Sequence, residues 1–152
     1  ALWLPFFGWG LVATSPIAIN RVTPVRAMND LLRQGREKIT QGRWVVIFPE
    51  GTRMAPGEQG AYHPGGAMLA VKAGVPVVPV AHDAGRYWGR RSFLKKPGVI
   101  RVCVGPPIAT EGEKPRAVNQ AAKDWIESTM ASLLGSPEVP VDTSKGKGRD
   151  NN

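Results

Sequence analysis

Short apolar runs alternate with helix-patterned segments along this chain of 152 residues, and the alternation constrains its fold more than any other feature. The apolar runs are residues 17–19, 44–48, 75–81 and 99–104. The last three have the length and β-branched content of buried strands. The helix-patterned segments are residues 24–42, 65–73 and 115–134. Apolar strands placed between helices are typical of an α/β fold, and we expect a mixed sheet with a parallel component, flanked by helices.

The helix boundaries follow from proline and glycine positions. Thr23 and Pro24 are suited to the N-cap and the first helical position. Gly74 and Gly135 are expected to stop the second and third helices. In the third helix the residues expected to face inward are Ala122, Trp125, Ile126 and Leu133.

The first nineteen residues carry no charged side chain. Prolines and glycines interrupt this segment and make a membrane-spanning helix the less favoured alternative. These residues are Pro5, Gly8, Gly10 and Pro16. We expect a segment that packs on the body of the protein or dips into a membrane interface. Its aromatic anchors are Trp3, Phe6, Phe7 and Trp9. The abrupt apolar start predicts a fragment whose natural protein continues upstream.

The positive charge belongs to the predicted folded part. Lys and Arg number 20 against 12 Asp and Glu, a net charge of +8. Residues 136–152 lack aromatic residues and apolar periodicity, which predicts a disordered tail, and their charges cancel. The excess therefore lies in residues 1–135, which we expect to form one domain, and it favours an anionic partner.

Cysteine and histidine content excludes several kinds of site. Cys103 is the only cysteine, which excludes an intramolecular disulfide and a Cys-rich zinc site. Its place in an apolar run predicts a small core residue rather than a nucleophile. His63 and His82 are the only histidines, so we expect no metal centre.

The segment 48–53, with the sequence FPEGTR, carries the richest chemistry and directly follows an apolar run. Gly51 permits close approach of a ligand to the backbone. Thr52 offers a hydroxyl group, and Arg53 offers a two-pronged donor for phosphate or carboxylate. Glu50 accepts hydrogen bonds. A tight turn closed by a Glu50–Arg53 ion pair is the alternative interpretation.

Arg21 follows the apolar run 17–19. A single arginine at a strand end is more often a surface charge than a ligand. Ligands of α/β sheets lie beyond the carboxyl ends of strands, however, so Arg21 and Arg53 are expected to converge if their strands are neighbours. Two guanidinium groups bind a phosphate monoester through several charge-assisted hydrogen bonds.

The run 75–81, with the sequence VPVVPVA, contains two prolines that remove ladder donors. It predicts an edge strand or an interrupted strand. Its apolar side chains suit either a core strand or a wall that contacts an apolar substrate. The residues of that wall are Val75, Pro76, Val77, Val78 and Pro79.

Basic and aromatic residues are interleaved between residues 85 and 101. The mixture suits anionic lipid headgroups, with rings at the interface, or a nucleic-acid backbone with stacked bases. A solvated loop is the third interpretation. The residues expected at a membrane interface are Arg86, Trp88, Arg90, Arg91, Phe93, Lys95 and Lys96. No usual nucleic-acid recognition motif occurs, so we expect an anionic membrane and no nucleic acid.

The order and spacing of IAINR at 17–21, FPEGTR at 48–53 and VPVVPVA at 75–81 resemble the 1-acylglycerol-3-phosphate acyltransferase family. The resemblance implies acyl transfer from acyl-CoA or acyl-carrier protein to lysophosphatidic acid, giving phosphatidic acid, with no other cofactor. It implies that Arg21 and residues 50–53 bind the glycerol phosphate and that 75–81 lines the acyl side. It also implies membrane association at the cytoplasmic face of the cell membrane.

The family's catalytic His-x4-Asp motif is not in this chain. The fifth residue after His63 is Met68, and the fifth after His82 is Tyr87. In the family the motif lies upstream of the block that ends at Arg21, so we expect this chain to lack the catalytic residues and to be inactive alone. Two alternatives stay open: a non-catalytic module that binds anionic lipid or nucleic acid, and an acyltransferase with another lysolipid acceptor.

Overall fold

The computed structural model describes residue 17 and residues 23–52, 54–89 and 92–137. Helix α1 spans Pro24–Thr40, α2 spans Gly65–Ala73 and α3 spans Pro115–Gly135. Strands β1, Val80–His82, and β2, Val102–Val104, form a two-stranded sheet. A 3₁₀ turn at Ala84–Arg86 follows β1.

The predicted helix starts and the stop at Gly74 are confirmed, whereas α1 ends at Thr40, before the expected Gly42, and α3 includes Gly135. Helices α1 and α3 begin with proline, whose missing N–H costs nothing at the first helical position. Thr23 precedes α1 in extended conformation, and its carbonyl, not its side chain, accepts from the N–H of Ala27 at 2.9 Å. Gly74 ends α2 in the left-handed region, with φ +66°. Gly135 is the last residue of α3.

Helices α1 and α2 pack closely because leucine side chains lie directly against the backbone of glycine residues. A Cβ atom on Gly65 would lie 2.8 Å from Leu31 Cδ2, and one on Gly35 would overlap Leu69. Glycine at these two positions therefore lets α1 and α2 pack tightly. The most deeply buried large apolar side chain of the core is Val118 on α3, which the sequence pattern did not single out. Of the four residues expected inward on that helix, Leu133 is buried and the others are half-buried.

The sheet is antiparallel, with Val80 opposite Val104 and His82 opposite Val102. An isolated bridge between Val77 and Ile108 continues the pairing. Val80 lies three positions after Val77, but Ile108 lies four positions after Val104, so the segment that follows β2 bulges by one residue. The interrupted pairing predicted for 75–81 is confirmed. No parallel pair occurs among the described residues, in contrast to the expected parallel component.

The prediction that 44–48 is a buried strand is wrong. The segment has no ladder hydrogen bonds to another described segment, and Trp44 is 87% exposed. Val46 and Phe48 are also exposed, whereas Val45 and Ile47 are half-buried, and Ile47 packs beside Gly66 at the start of α2. Exposed and half-buried side chains therefore alternate along residues 44–48, because the described residues cover only one face of this segment.

The third predicted strand, 99–104, is shorter than expected. Val99 and Ile100 are exposed, and the ladder begins at Val102. At Arg101 the N–H donates to Asp83 Oδ1 at 2.8 Å instead of to a strand carbonyl. At this end of the sheet the Asp83 carboxylate therefore accepts the hydrogen bond that a strand carbonyl would otherwise accept.

Asp83 forms the centre of a polar junction between the sheet and α3. It is 1% exposed, and its Oδ2 accepts from Arg101 Nε at 2.7 Å. Arg101 Nη2 also donates to the carbonyl of Leu133 at 2.6 Å, near the C-terminus of α3. Burial by itself raises the pKa of Asp83, but the hydrogen bonds and charge of Arg101, with the charge of Arg86, hold it below its usual value.

The Asp83→Ala substitution is expected to lower the free energy of unfolding by about 3 kcal/mol, because it leaves a partly buried guanidinium without its carboxylate. Asp124→Ala is the matched control, since Asp124 is exposed and bonds to Gln120 on the same helix. It should change stability by less than about 0.5 kcal/mol. Denaturant unfolding followed by circular dichroism measures both, and equal losses would contradict the assigned role of Asp83.

The effect of Asp83 is also expected to depend on pH. Its folded pKa is depressed, so its stabilising contribution is present at pH 7 and is lost as the pH falls through that pKa. The stability difference between wild type and Asp83→Ala should therefore shrink with acidification. A difference that stays constant down to the acid transition would contradict the ion pair.

Candidate functional site

A tight turn opens the FPEGTR segment. The N–H of Gly51 donates to the carbonyl of Phe48 at 3.0 Å, and Gly51 has φ +65° in the left-handed region. Glycine adopts that conformation without the cost that a Cβ atom brings. The turn leaves Gly51 and Thr52 exposed and Glu50 half-buried.

The chain then returns to its starting point. A second turn forms where the N–H of Glu58 donates to the carbonyl of Ala55 at 3.0 Å. The return ends where the N–H of His63 donates to the carbonyl of Pro49 at 2.8 Å. Residues 49–52 and 54–63 therefore lie on a loop with joined ends, here called the FPEGTR loop.

Helix α3 holds the returning arm of the FPEGTR loop. Asn119 Nδ2 donates to the carbonyl of Tyr62 at 3.2 Å. Lys123 Nζ lies 5.8 Å from the centre of the Tyr62 ring. The loop is thus supported by side chains far from it in sequence.

The electrostatics of the loop centre on two carboxyl groups. Burial raises the pKa of Glu50, and the nearby charge of Glu127 raises it further. Burial also raises the pKa of Tyr62, and the nearby charges of Glu127 and Glu50 raise it further. Glu50 consequently takes up a proton more readily than an exposed glutamate, and Tyr62 stays a hydrogen-bond donor.

Three of the five predicted phosphate-binding residues lie in the described part of the chain. Glu50, Gly51 and Thr52 lie together in the first turn of the FPEGTR loop. Arg21 and Arg53 lie outside the described residues, so their convergence on one anion stays a prediction. The same holds for the alternative Glu50–Arg53 ion pair.

The predicted acyl-side residues differ in exposure. Pro76 is exposed, Pro79 is buried, and Val75, Val77 and Val78 are half-buried. Pro79 lies with Trp125 against Gly105, where a Cβ atom would come within 2.9 Å of the proline ring. Part of this run is therefore core, and its role as an acyl wall stays a prediction.

The predicted membrane-interface residues divide into three groups. Arg86 has a different position from the expected one: its guanidinium donates to the carbonyls of Ser136, at 2.9 Å, and Leu134, so it caps α3. Arg90 and Arg91 lie outside the described residues. The other four, Trp88, Phe93, Lys95 and Lys96, are exposed and together with Leu94 define what is here called the exposed tip.

Hydrogen bonds and a ring contact shape the exposed tip. Trp88 Nε1 donates to the carbonyl of Ser92 at 2.9 Å, and Lys95 Nζ lies 4.4 Å from the centre of the Trp88 ring. Phe93 and Leu94 have almost no cover from the described residues. The tip combines bare apolar side chains with lysines.

Sequence reasoning missed Tyr62, Asn119 and Glu127. None belongs to a local motif, and 57 positions separate Asn119 from Tyr62. The available signal was the spacing of Asn119, Lys123 and Glu127, four residues apart, which puts three polar side chains on one face of α3.

Comparison with known proteins identifies the family. The Acyltransferase family model matches residues 1–83, more than half of the chain. The chain belongs to this acyltransferase family. The resemblance carried by the three sequence blocks is thereby confirmed.

Two curated relatives carry a more specific name. A 1-acyl-sn-glycerol-3-phosphate acyltransferase from Pseudomonas aeruginosa is 49% identical over 135 residues, 87% of this chain and 52% of that protein. A 1-acyl-sn-glycerol-3-phosphate acyltransferase alpha from Mus musculus is 31% identical, over 88% of this chain and 47% of that protein. The chain spans about half the length of these acyltransferases.

A solved acyltransferase shares the fold. The crystal structure of the 1-acyl-sn-glycerophosphate (LPA) acyltransferase PlsC from Thermotoga maritima matches with a TM-score of 0.75 at 23% identity. The match covers 89% of this chain and 54% of that chain. The predicted α/β acyltransferase fold is confirmed. Among the described residues of this acyltransferase chain, no helix has the length and apolar content to cross a membrane.

The Gly51→Ala substitution is expected to cost about 1–2 kcal/mol of stability through backbone strain. The new Cβ atom would lie 3.5 Å from His63 Cδ2, an ordinary contact, so a clash is not the cause. Gly112→Ala is the matched control, with φ +71° and no described heavy atom within 4 Å.

Denaturant unfolding should show similar losses for the two glycine variants. Amide NMR resonances of Tyr62 and His63 should move in Gly51→Ala and stay in place in Gly112→Ala. Identical resonances in both variants would contradict the closed geometry of the FPEGTR loop.

Proposed function

We propose that this chain supplies the phosphate-binding part of an enzyme that acylates the sn-2 hydroxyl of lysophosphatidic acid and so makes phosphatidic acid for phospholipid synthesis. The observation that carries the proposal is the FPEGTR loop, closed on itself in a member of the acyltransferase family. The names of relatives that are up to 49% identical support the choice of acceptor.

The residues of the FPEGTR loop fit recognition of a phosphate monoester. Gly51 and Thr52 are exposed on the turn, so a ligand can reach the backbone and a hydroxyl group. In the proposed site, Arg21 and Arg53 supply guanidinium groups that bind phosphate oxygens through charge-assisted hydrogen bonds. The net charge of +8 favours the approach of an anionic substrate.

In the proposed reaction, the acceptor oxygen bonds to the acyl carbon of an acyl-CoA or acyl-carrier-protein thioester. The acceptor proton passes to a general base, the carbon–sulfur bond breaks, and the leaving thiolate takes up that proton to become a thiol. The His-x4-Asp pattern that supplies this base in the family is not found within these 152 residues. The proposed role of this chain is therefore substrate binding, and the thioester is a co-substrate rather than a cofactor.

The exposed tip supports an anionic membrane surface as partner. Phe93 and Leu94 offer apolar side chains for insertion, and Lys95 and Lys96 offer charges for acidic headgroups. We place the protein at the cytoplasmic face of the cell membrane and propose no nucleic-acid partner.

Arg53→Ala is expected to weaken binding of glycerol 3-phosphate to the 152-residue chain by about tenfold or more, because charge-assisted hydrogen bonds are lost. Arg43→Ala is the matched control: it removes the same charge from an exposed position ten residues earlier. Isothermal titration calorimetry measures both. Equal affinity in Arg53→Ala and Arg43→Ala would contradict the phosphate role of Arg53.

Activity is tested by joining the chain to the part of the Pseudomonas aeruginosa relative that it does not match. The chimera should transfer a labelled acyl group to lysophosphatidic acid, and Arg53→Ala in it should lower the rate. The 152-residue chain by itself should not catalyse the transfer. Acylation of another lysolipid in preference would replace the proposed acceptor.

The exposed tip favours one alternative function, a non-catalytic module that binds anionic lipid. Replacing Phe93 and Leu94 by serine should weaken sedimentation with phosphatidylglycerol vesicles at least about tenfold, since each loses apolar burial of roughly 1.5–3 kcal/mol. Val25→Ser, an exposed valine on α1, is the control. Vesicle binding without activity of the chimera would favour the module, and preference for a single-stranded oligonucleotide would exclude the membrane.

A further inference from the structure

We propose that the groove between α1 and α2 is a docking surface for an acidic helix of a protein partner, and that this partner is the carrier protein that delivers the acyl group. The proposal rests on the acyl transfer proposed above, since a carrier of acyl groups is a partner only in that reaction. It adds a surface for the donor to the binding of the acceptor proposed for the FPEGTR loop.

The groove follows one face of α1 for about three turns. Its α1 side runs from Asn29 to Thr40, about 16 Å of helix. Its α2 side is formed by Leu69 and Lys72, and its volume is about 610 Å³. The two helices pack closely beneath it, where a Cβ atom on Gly35 would overlap Leu69. An open groove of this length fits a helix laid along it.

Three cations and one carboxylate line the groove. Arg33 and Arg36 on α1 and Lys72 on α2 are exposed. None of the three has an ion-pair partner among the described residues. Glu37, which is also exposed, is the carboxylate. Both walls of the groove therefore offer unpaired positive charge, which favours an anionic partner and steers its approach.

Leucine side chains lie between the cations. Leu32 is half-buried on the α1 side, and Leu69 is 2% exposed at the base of the groove. An amphipathic helix offers apolar and charged side chains three and four residues apart, the same spacing as this lining. The nucleotide of an acyl-CoA is a compact ligand, and such ligands bind in concave pockets that bury most of their surface. The long, open groove therefore favours a carrier protein as its occupant.

The groove lies near the FPEGTR loop. The loop closes at His63, and α2 begins two residues later at Gly65. Leu69 and Lys72 follow on the next two turns of that helix, about 6 and 10 Å from Gly65 along its axis. A carrier docked on these turns is held next to the loop that is proposed to bind the acceptor.

Binding of a purified bacterial acyl-carrier protein that bears a palmitoyl group tests the surface. Arg33→Glu combined with Arg36→Glu should weaken its binding to the 152-residue chain about tenfold or more at low salt, mainly through slower association, because attraction across the interface becomes repulsion. Lys72→Glu should weaken binding about three- to tenfold, because the α2 wall contributes one cation. Surface plasmon resonance measures the rates, and circular dichroism shows that each variant is folded.

Arg116→Glu is the matched control. It makes the same charge change at an exposed position of α3, outside the groove, and should bind the carrier protein as the wild type does. Equal losses in Arg116→Glu and the groove variants, or no binding by the wild-type chain, would overturn the proposal. Binding that Lys72→Glu leaves unaltered would overturn the groove as the site. If the same variants abolish binding to phosphatidylglycerol vesicles or to a single-stranded oligonucleotide but not to the carrier protein, the protein partner is overturned.

Donor kinetics in the chimera with the Pseudomonas aeruginosa relative separate this proposal from the proposed function. Arg33→Glu combined with Arg36→Glu should raise the KM for palmitoyl-acyl-carrier protein about tenfold and leave kcat and the KM for palmitoyl-CoA unchanged. If the chimera acylates lysophosphatidic acid from palmitoyl-CoA alone, the docking surface fails and the proposed function stands. If it acylates lysophosphatidic acid from neither donor, but the 152-residue chain binds the carrier protein through the groove, the docking surface stands and the proposed function fails.

Discussion

The buried carboxylate of Asp83 determines where the last helix lies on the sheet. Asp83 directly follows β1, and its partner Arg101 directly precedes β2, so the ion pair closes one end of the two-stranded ladder. The same arginine reaches the carbonyl of Leu133, and Arg86 reaches that of Leu134. Cations at a helix C-terminus also complement the helix dipole. These bonds fix the C-terminal end of α3 to the sheet and so place its earlier turns beside the FPEGTR loop. The contact of Asn119 with that loop therefore depends on the polar junction at Asp83.

Helices were predictable from the sequence because their signals are local. Pro24, Gly74 and Pro115 mark boundaries through the conformations that proline and glycine allow, whatever surrounds them. Strand burial was not predictable in the same way. The run 44–48 is apolar on both faces, but whether each face is covered depends on segments elsewhere in the chain. A continuous apolar run therefore predicted burial where the described residues bury one face only.

In the candidate site, too, the residues of a local motif were predictable and those placed by distant contacts were not. Glu50, Gly51 and Thr52 were predictable because they belong to one hexapeptide whose residue types suit phosphate recognition. Tyr62 and Asn119 were not, since their hydrogen bond joins positions 57 residues apart. Arg86 shows the reverse case: its basic and aromatic neighbours favoured a membrane contact, whereas helix α3 offers it unpaired carbonyls at short range. The sequence shows that residue 86 is positively charged, but it does not show that the partners of Arg86 are the carbonyls at the end of α3.

Two carboxylates beside a proposed phosphate site oppose anion binding unless their charge is directed away from it. The packing of Glu50 against Gly60 accomplishes part of this, because it turns the side chain toward the returning arm while Gly51 and Thr52 remain exposed. Burial and Glu127 raise the pKa of Glu50, which reduces its charge as the medium becomes acidic. The returning arm thus does more than close the loop: it separates the acidic side of the motif from the exposed side on which a phosphate would bind.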